Sequence, residues 1–178
     1  MTKRAFPLAK VYGLLEPGPV VLLTTCHKRQ ANVMTMSWHT MMEFEPPLVG
    51  CVVSGRDFSF TALQATRECV LNIPTAELAP LVVECGNASG RKIDKFAAFG
   101  IKTKAASQVG APLLTDCYAS LECRVADTRM VNRYNFFVLE VVKAWVDTAL
   151  KAPRTLHHRG YGRFAIADET MVLKSLMA

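Results

Sequence analysis

The sequence has little charge, few aromatics and no long hydrophobic run. Of its 178 residues 20% are charged and 8% aromatic, while 51% are hydrophobic. A disordered chain needs the opposite balance, so this one can bury a core, and its length suits a single domain. Its six cysteines are too sparse for a disulfide scaffold, and none forms a CxxC pair. The histidines (His27, His39, His157 and His158) stand at no zinc-ligand spacing beside them. Most cysteines lie in apolar runs such as Val49-Gly50-Cys51-Val52-Val53, which reads as buried reduced thiols in a cytoplasmic protein. Lys3 and Arg4 open the chain, but Val20–Leu23 is too short for a leader core, and Pro17 and Pro19 interrupt it. Neither a secretory leader nor a membrane span is expected. No Walker loop, HExxH helix, nucleophile elbow or GxGxxG fingerprint occurs. Gly160-Tyr161-Gly162 lacks the third glycine and a preceding strand. With no acid–base pair in sight either, the sequence points to binding a ready-made reactive group.

The net charge of +6 sits at the two ends: residues 1–30 carry +4, residues 150–178 carry +3, and the middle carries −1. A nucleic-acid surface would need a basic stripe interleaved with aromatics, and only Arg154–Arg163, with His157, His158 and Tyr161, resembles one. A solvated loop, or an arm touching a second subunit, accounts for it better. A moderate positive balance also suits a small anionic ligand.

Val20–Cys26 is short and β-branched, a buried strand. His27–Gln30 turns the chain and Asn32–Thr40 returns it, making a hairpin. Further strands are expected at Leu48–Val53, Cys69–Ile73, Ala119–Ala126 and Tyr134–Val146. In Ala119–Ala126 the alternation puts Ser120, Glu122 and Arg124 on a polar face. Tyr134–Val146 is apolar on both faces, with Phe137, Leu139 and Trp145 sharing one, so both should be covered. Short helices are expected at Phe58–Arg67, at Ala76–Cys85 with Pro80 in its first turn, and at Ile93–Phe99, stopped by Gly100. Strands dominate, and a closed or split antiparallel barrel with peripheral short helices fits best. Residues 1–178 read as one domain, with 150–178 a C-terminal arm.

Three stretches carry candidate chemistry. In Ser54-Gly55-Arg56-Asp57-Phe58-Ser59-Phe60-Thr61 a strand ends, a glycine turns and a helix begins. Arginine, hydroxyls and free N–H groups then meet at a helix N-terminus, which is what a phosphate needs. An ordinary helix capped by Asp57 or Ser59 is the plainer account. In Asn32–His39 a continuous strand would place Thr35, Ser37 and His39 on one face and Met34, Met36 and Trp38 on the other. A flat heteroaromatic ligand uses both kinds of contact, although a barrel strand with Met and Trp in the core is, on the local pattern alone, the better account. In Ser89–Phe96, Lys92 and Lys95 are three apart and can face one direction, to complete a phosphate site or only to be solvated.

These pieces in order resemble the flavin reductase-like, FMN-binding split-barrel family, and within it the flavoredoxin branch. The motifs are Asn32-x-Met34-Thr35-x-Ser37-Trp38, Pro46-Pro47-Leu48, Ser54-x-Arg56-x-x-x-x-Thr61, Val70-Leu71-Asn72-Ile73-Pro74, Asp94-Lys95-Phe96 and Phe136–Val141, running over residues 18–147. Gly160–Phe164 is similar to the tail of that branch. The resemblance implies a split β-barrel that forms a homodimer with FMN at or near the interface. It implies that Asn32, Met34, Thr35, Met36, Ser37 and Trp38 line the isoalloxazine, and that Cys51, Val52, Val53 and Ser54 run beside the ring and ribityl chain. It places the phosphate on Ser54, Arg56, Ser59 and Thr61, with help from Lys92 or Lys95. It also implies an oxidoreductase taking hydride from NADH or NADPH and passing electrons to a free flavin or a redox protein. Reductases of this family often carry a histidine where this chain has Asn135, which can hydrogen-bond but carries no charge. That leaves an FMN electron carrier without a nicotinamide site as an alternative, and a nucleic-acid-binding barrel as a third.

Overall fold

The computed structural model describes residues 3–11, 18–159 and 162–171. Pro17, Gly160, Tyr161 and residues 172–178 of the expected arm lie outside the described residues. Strand β1 is Lys3–Phe6, β2 Val21–His27, β3 Gln30–Met36, β4 His39–Glu43 and β5 Leu48–Val52. Helix α1 is Phe58–Thr66, followed by β6 Glu68–Ile73, α2 Ala79–Asn87 and α3 Lys95–Ala98. Then come β7 Thr103–Lys104, β8 Leu113–Leu114, β9 Ala119–Asp127, α4 Val131–Tyr134, β10 Phe136–Asp147, β11 Thr155–His158 and β12 Phe164–Ala167.

Eight strands form one antiparallel sheet, in the order β3-β2-β6-β9-β10-β5-β4 with β1 also on β10. β3 and β4 end that path, yet only Ser37 and Trp38 separate them in the chain. The sheet must therefore curl until its edges nearly meet, which is the split antiparallel barrel expected from the strand-rich sequence. Along one side of β10, β5 pairs with Phe136–Glu140 and β1 with Ala144–Asp147. The barrel interior is filled by Leu23, Leu71, Leu121, Phe137, Leu139 and their neighbours, all fully buried. A second cluster, including Val20, Leu22, Val33, Val82 and Leu156, seals the outside of β2 and β3 beneath α2 and the β11–β12 hairpin.

The expected elements recur, with four differences. The return strand does not run through to Thr40. It breaks at Ser37–Trp38, where the chain must leave one sheet edge for the other, so Trp38 is 71% exposed instead of packing beside buried Met36. Tyr134 ends helix α4, and Asn135 caps it in the left-handed region at φ 55, so β10 starts at Phe136. The register slips between Val141 and Lys143, and this bulge reverses the alternation. Ala144 and Val146 then continue the interior row, while Trp145 moves to the outer face with Val142. The other face of β9 is not open to water either. Ser120 and Glu122 are fully buried, because residues 105–114 fold over them. The arm is a hairpin docked on the body: Leu156 is buried, its carbonyl accepts from Val20 N at 2.6 Å, and Ala76 N donates to the Arg154 carbonyl at 2.7 Å. Arg154 pairs with Asp168 at 3.0 Å and Glu77 at 3.6 Å, which neutralises part of the basic stretch.

Candidate functional site

β5 ends at Val52, and the chain turns at Ser54–Asp57 into α1. Asp57 occupies the N-cap but its carboxylate caps nothing. It accepts instead from Ser54 N at 3.1 Å, while Ser54 Oγ accepts from Arg56 N at 3.2 Å. This closed turn leaves the first-turn N–H groups of α1 without a side-chain cap, and an uncapped helix start is a natural anion seat. The exposed Arg56 guanidinium has no partner among the described residues. Ser59 is fully buried and its Oγ accepts from Asn32 Nδ2 at 2.8 Å, tying α1 to β3.

β3 is the path's terminal strand, and a groove runs along it. A cavity of about 290 Å³ is lined by Asn32, Met34, Thr35, Arg56, Lys95 and the loop 85–90. Gly90 lets that loop close down, since a Cβ there would stand 2.2 Å from Asn32 Oδ1 and 2.6 Å from the Phe58 ring. Thr35, Gly86 and Asn87 also line an adjoining cavity of about 270 Å³, with Ser37, His158 and Phe164 on its walls. The groove thus continues from the α1 N-terminus to the break between β3 and β4, and the C-terminal hairpin forms part of its far side.

Lys95 is 4% exposed and donates to the Val33 carbonyl at 2.9 Å and the Cys85 carbonyl at 2.7 Å, so it pins β3 to α2. Burial lowers its pKa, and burial pushes the neighbouring Cys85 thiol up to about 11. Lys92, by contrast, is exposed and lines another cavity. The two lysines therefore do not face one direction. Thr35 Oγ1 donates to the Val82 carbonyl at 2.5 Å. Ser37 is half-buried, Met36 is in the core, and Met34 packs partly against it. Cys51 and Val53 are fully buried core residues. Val52 is half-buried, its N–H donating to the Trp38 carbonyl at 3.0 Å. Thr61 is exposed on α1 and does not line the groove. Asn135 accepts from Val53 N at 3.0 Å, and its Oδ1 stands 3.6 Å from where a Cβ on Gly55 would lie.

Motif patterns assign no ligand role to residues 86–88 or to Phe164, and they place His39 only on a strand face with Thr35 and Ser37 and His158 only in the basic arm. His39 Nε2 lies 2.7 Å from the Pro19 carbonyl and must donate to it, leaving Nδ1 an acceptor. That Nδ1 is buried and unpartnered, and burial lowers the ring's pKa against the opposing effect of the Pro19 bond. Gly86 and Gly90 were the available sequence signal for the loop; the docking of the arm had none.

The groove suits a flavin mononucleotide in two respects. One end has a helix start and a free guanidinium, and the middle offers Met34 beside small polar groups. Comparison with known proteins agrees with that chemistry. The FMN-binding domain of a flavin reductases-like enzyme from Shewanella baltica superposes with a TM-score of 0.92 at 26% identity, covering 97% of this chain and 98% of that one. The flavoredoxin of Desulfovibrio vulgaris (Miyazaki F) has a TM-score of 0.80 at 17% identity, covering 90% and 92%, which is a likeness of fold. The FMN reductase (NADH) RutF of Bradyrhizobium diazoefficiens is 30% identical over 100 residues, 54% of this chain and 51% of that protein. The model of the flavin reductase like domain matches residues 14–165, nearly the whole barrel and the docked hairpin, and the chain belongs to that family.

Proposed function

We propose that the chain holds FMN in the β3 groove and works as an oxidoreductase, taking hydride from NADH or NADPH and passing electrons to a free flavin or a redox protein. The observation that carries this reading is the uncapped start of α1 beside the unpaired Arg56, opening onto two adjoining cavities of about 290 and 270 Å³ along β3. Bound FMN would supply the hydride and electron chemistry. Arg56, Ser54 and the first-turn N–H groups of α1 neutralise its phosphate. Asn32 and Ser59 lock β3 onto α1, and Lys95 locks β3 onto α2, so the groove is held open without the ligand. The backbone of Thr35–Trp38 and the Ser37 hydroxyl offer donors to the ring edge. Met34 and Trp38 offer apolar contact, and Met36 and Cys51–Val53 support the floor from the core side.

The same reading includes a homodimer. Trp38, Met42, Met130 and Tyr134 are exposed apolar residues around the outer ends of β4 and β10, a surface that a second copy would cover. Six free cysteines suit a reducing compartment such as the cytoplasm. Among the described residues, no helix is long and apolar enough to cross a membrane. Asn135 favours a second reading, an FMN electron carrier without a nicotinamide site, because an uncharged residue stands where the family resemblance implies a histidine in reductases. Anaerobic titration of the FMN-loaded protein with NADH and NADPH, followed at the flavin band, tests both. Bleaching by either nucleotide supports the reductase, and bleaching by dithionite alone supports the carrier. A colourless protein that takes up no FMN rejects both readings and returns attention to nucleic acid.

A further inference from the structure

Beyond Gly90 the groove opens into another cavity, of about 550 Å³, that the FMN reading leaves unused. Lys28 and Arg29 from the β2–β3 turn line it, with Arg91 and Lys92 from the loop before α3 and an apolar wall of Ile93 and Phe96. All four cations are exposed. The cavity's carboxylate, Asp94, is engaged elsewhere: its Oδ1 accepts from Phe96 N at 2.9 Å and Ala97 N at 3.3 Å. Among the described residues, ion pairs engage Arg129 and Arg154 and none of these four. Arg91 stands at the junction of the two cavities, with its guanidinium 3.4 Å from the Arg56 carbonyl and 5.6 Å from the centre of the Phe58 ring. Lys28 and Arg29 have φ of 50° and 64°, the left-handed pair of a two-residue hairpin turn that Asn-Gly adopts most readily.

We propose that this cavity takes the AMP half of FAD, so that the chain accepts the dinucleotide flavin in preference to FMN. The four cations meet the second phosphate and the adenosine lies against Ile93 and Phe96. The inference rests on the phosphate of the flavin sitting at Arg56. In FAD the adenylate is joined to that same phosphate, and the cationic cavity adjoins the Arg56 cavity across Gly90. The size is that of a nucleotide-scale pocket, roughly 300–1,000 Å³.

The test is the double variant Lys28→Asn/Arg29→Gly, which removes two charges while giving the turn its preferred residues. FMN and FAD are titrated into flavin-free wild type and variant at low salt. FAD is expected to bind wild type more tightly than FMN. The variant should lose roughly fivefold in FAD affinity, on the scale of two partly exposed charge contacts, with FMN affinity unchanged. Raising the salt should erase the FAD advantage in wild type. Equal affinities for the two flavins in wild type, or equal losses for both in the variant, overturn the proposal. So does binding of 2′,5′-ADP to the FMN-loaded protein that depends on Lys28 and Arg29 while FAD shows no advantage, because the cavity then serves a nicotinamide donor. Failure of wild type to bind either flavin removes the flavin site itself, a result distinct from all of these.

Discussion

Arg56 and Ser37 mark the two ends of the groove, and each supports its own prediction. Arg56 is the one cation in the Arg56 loop free to meet a phosphate, since Lys95 is committed to two carbonyls. Arg56→Ala should weaken FMN by about 1.5–3 kcal/mol, the scale of a charge-assisted contact, and leave riboflavin nearly unaffected. Calorimetric titration with both ligands checks this, and equal losses would move Arg56 out of the phosphate site. Thr35 and Ser37 are not equivalent. The Thr35 hydroxyl already donates to Val82, whereas Ser37 opens onto the cavity. A donor at the ring edge favours the reduced, more negative flavin, and losing one costs about 1 kcal/mol, or roughly 20 mV for a two-electron couple. Ser37→Ala is therefore expected to lower the midpoint potential by that amount, and Thr35→Val to leave it near the wild-type value. Spectroelectrochemistry that finds Ser37→Ala unshifted would place that hydroxyl away from the ring.

At the scale of elements, the bulge in β10 decides what the outer face can bind. It sends Trp145 outward, where its Nε1 donates to Glu122 Oε1 at 2.7 Å. Ser107 N and Oγ and Gln108 N also donate to that carboxylate, so a fully buried charge holds the 105–114 cover against the sheet. Burial alone would raise the Glu122 pKa, but these donors outweigh it and hold the carboxyl below its ordinary value. Glu122→Gln sets an NH₂ group against N–H donors, and urea unfolding should show a loss of about 1–3 kcal/mol. A depressed carboxyl stabilises above its unfolded value and loses that contribution as pH falls through its folded one. Wild type should therefore converge on the variant as pH falls below the ordinary carboxylate range, and a constant gap at all pH values would contradict the account.

For the whole molecule, the buried thiols set an alkaline limit. Burial pushes Cys117 up to about 12 and Cys85 to about 11, and raises Cys51 further. The folded thiols keep protons that unfolded ones lose near pH 9, so their stabilisation is complete below that value and declines above it, by up to about 1.4 kcal/mol per thiol per pH unit. Lys3, lowered to about 8 mainly by burial, acts in the opposite sense between pH 8 and 10.5, which makes the net decline steepest above 10.5. Denaturation midpoints measured from pH 9 to 11 should fall, and less steeply in Cys117→Ala; an unchanged slope would count against the buried thiol as the cause. The exposed Trp38, Met42, Met130 and Tyr134 belong to this scale too. Sedimentation at micromolar concentration is expected to give a dimer, and a monomer would remove the proposed interface.

The strands and most helices were legible in residue order, because β-branched runs, turn residues and Pro80 act locally. The turn into α1 was legible for the same reason: Ser54, Arg56 and Asp57 bond among themselves within four residues. Alternation failed where distant parts of the chain intervene. Trp38 left the core because two sheet edges meet there, Trp145 changed face at a bulge, and Glu122 was buried by a loop that local polarity placed in solvent. Lys92 and Lys95 look equivalent at a spacing of three, yet packing of α3 against β3 buries one and leaves the other in water. By itself, then, the sequence determined the strand-rich architecture, the turn at Ser54–Asp57 and the resemblance to flavin-binding barrels. Only the tertiary structure decided which polar groups are spent on holding the barrel together and which remain for a ligand, since a hydrogen bond between residues tens of positions apart, such as Asn32 to Ser59, leaves no trace in local pattern.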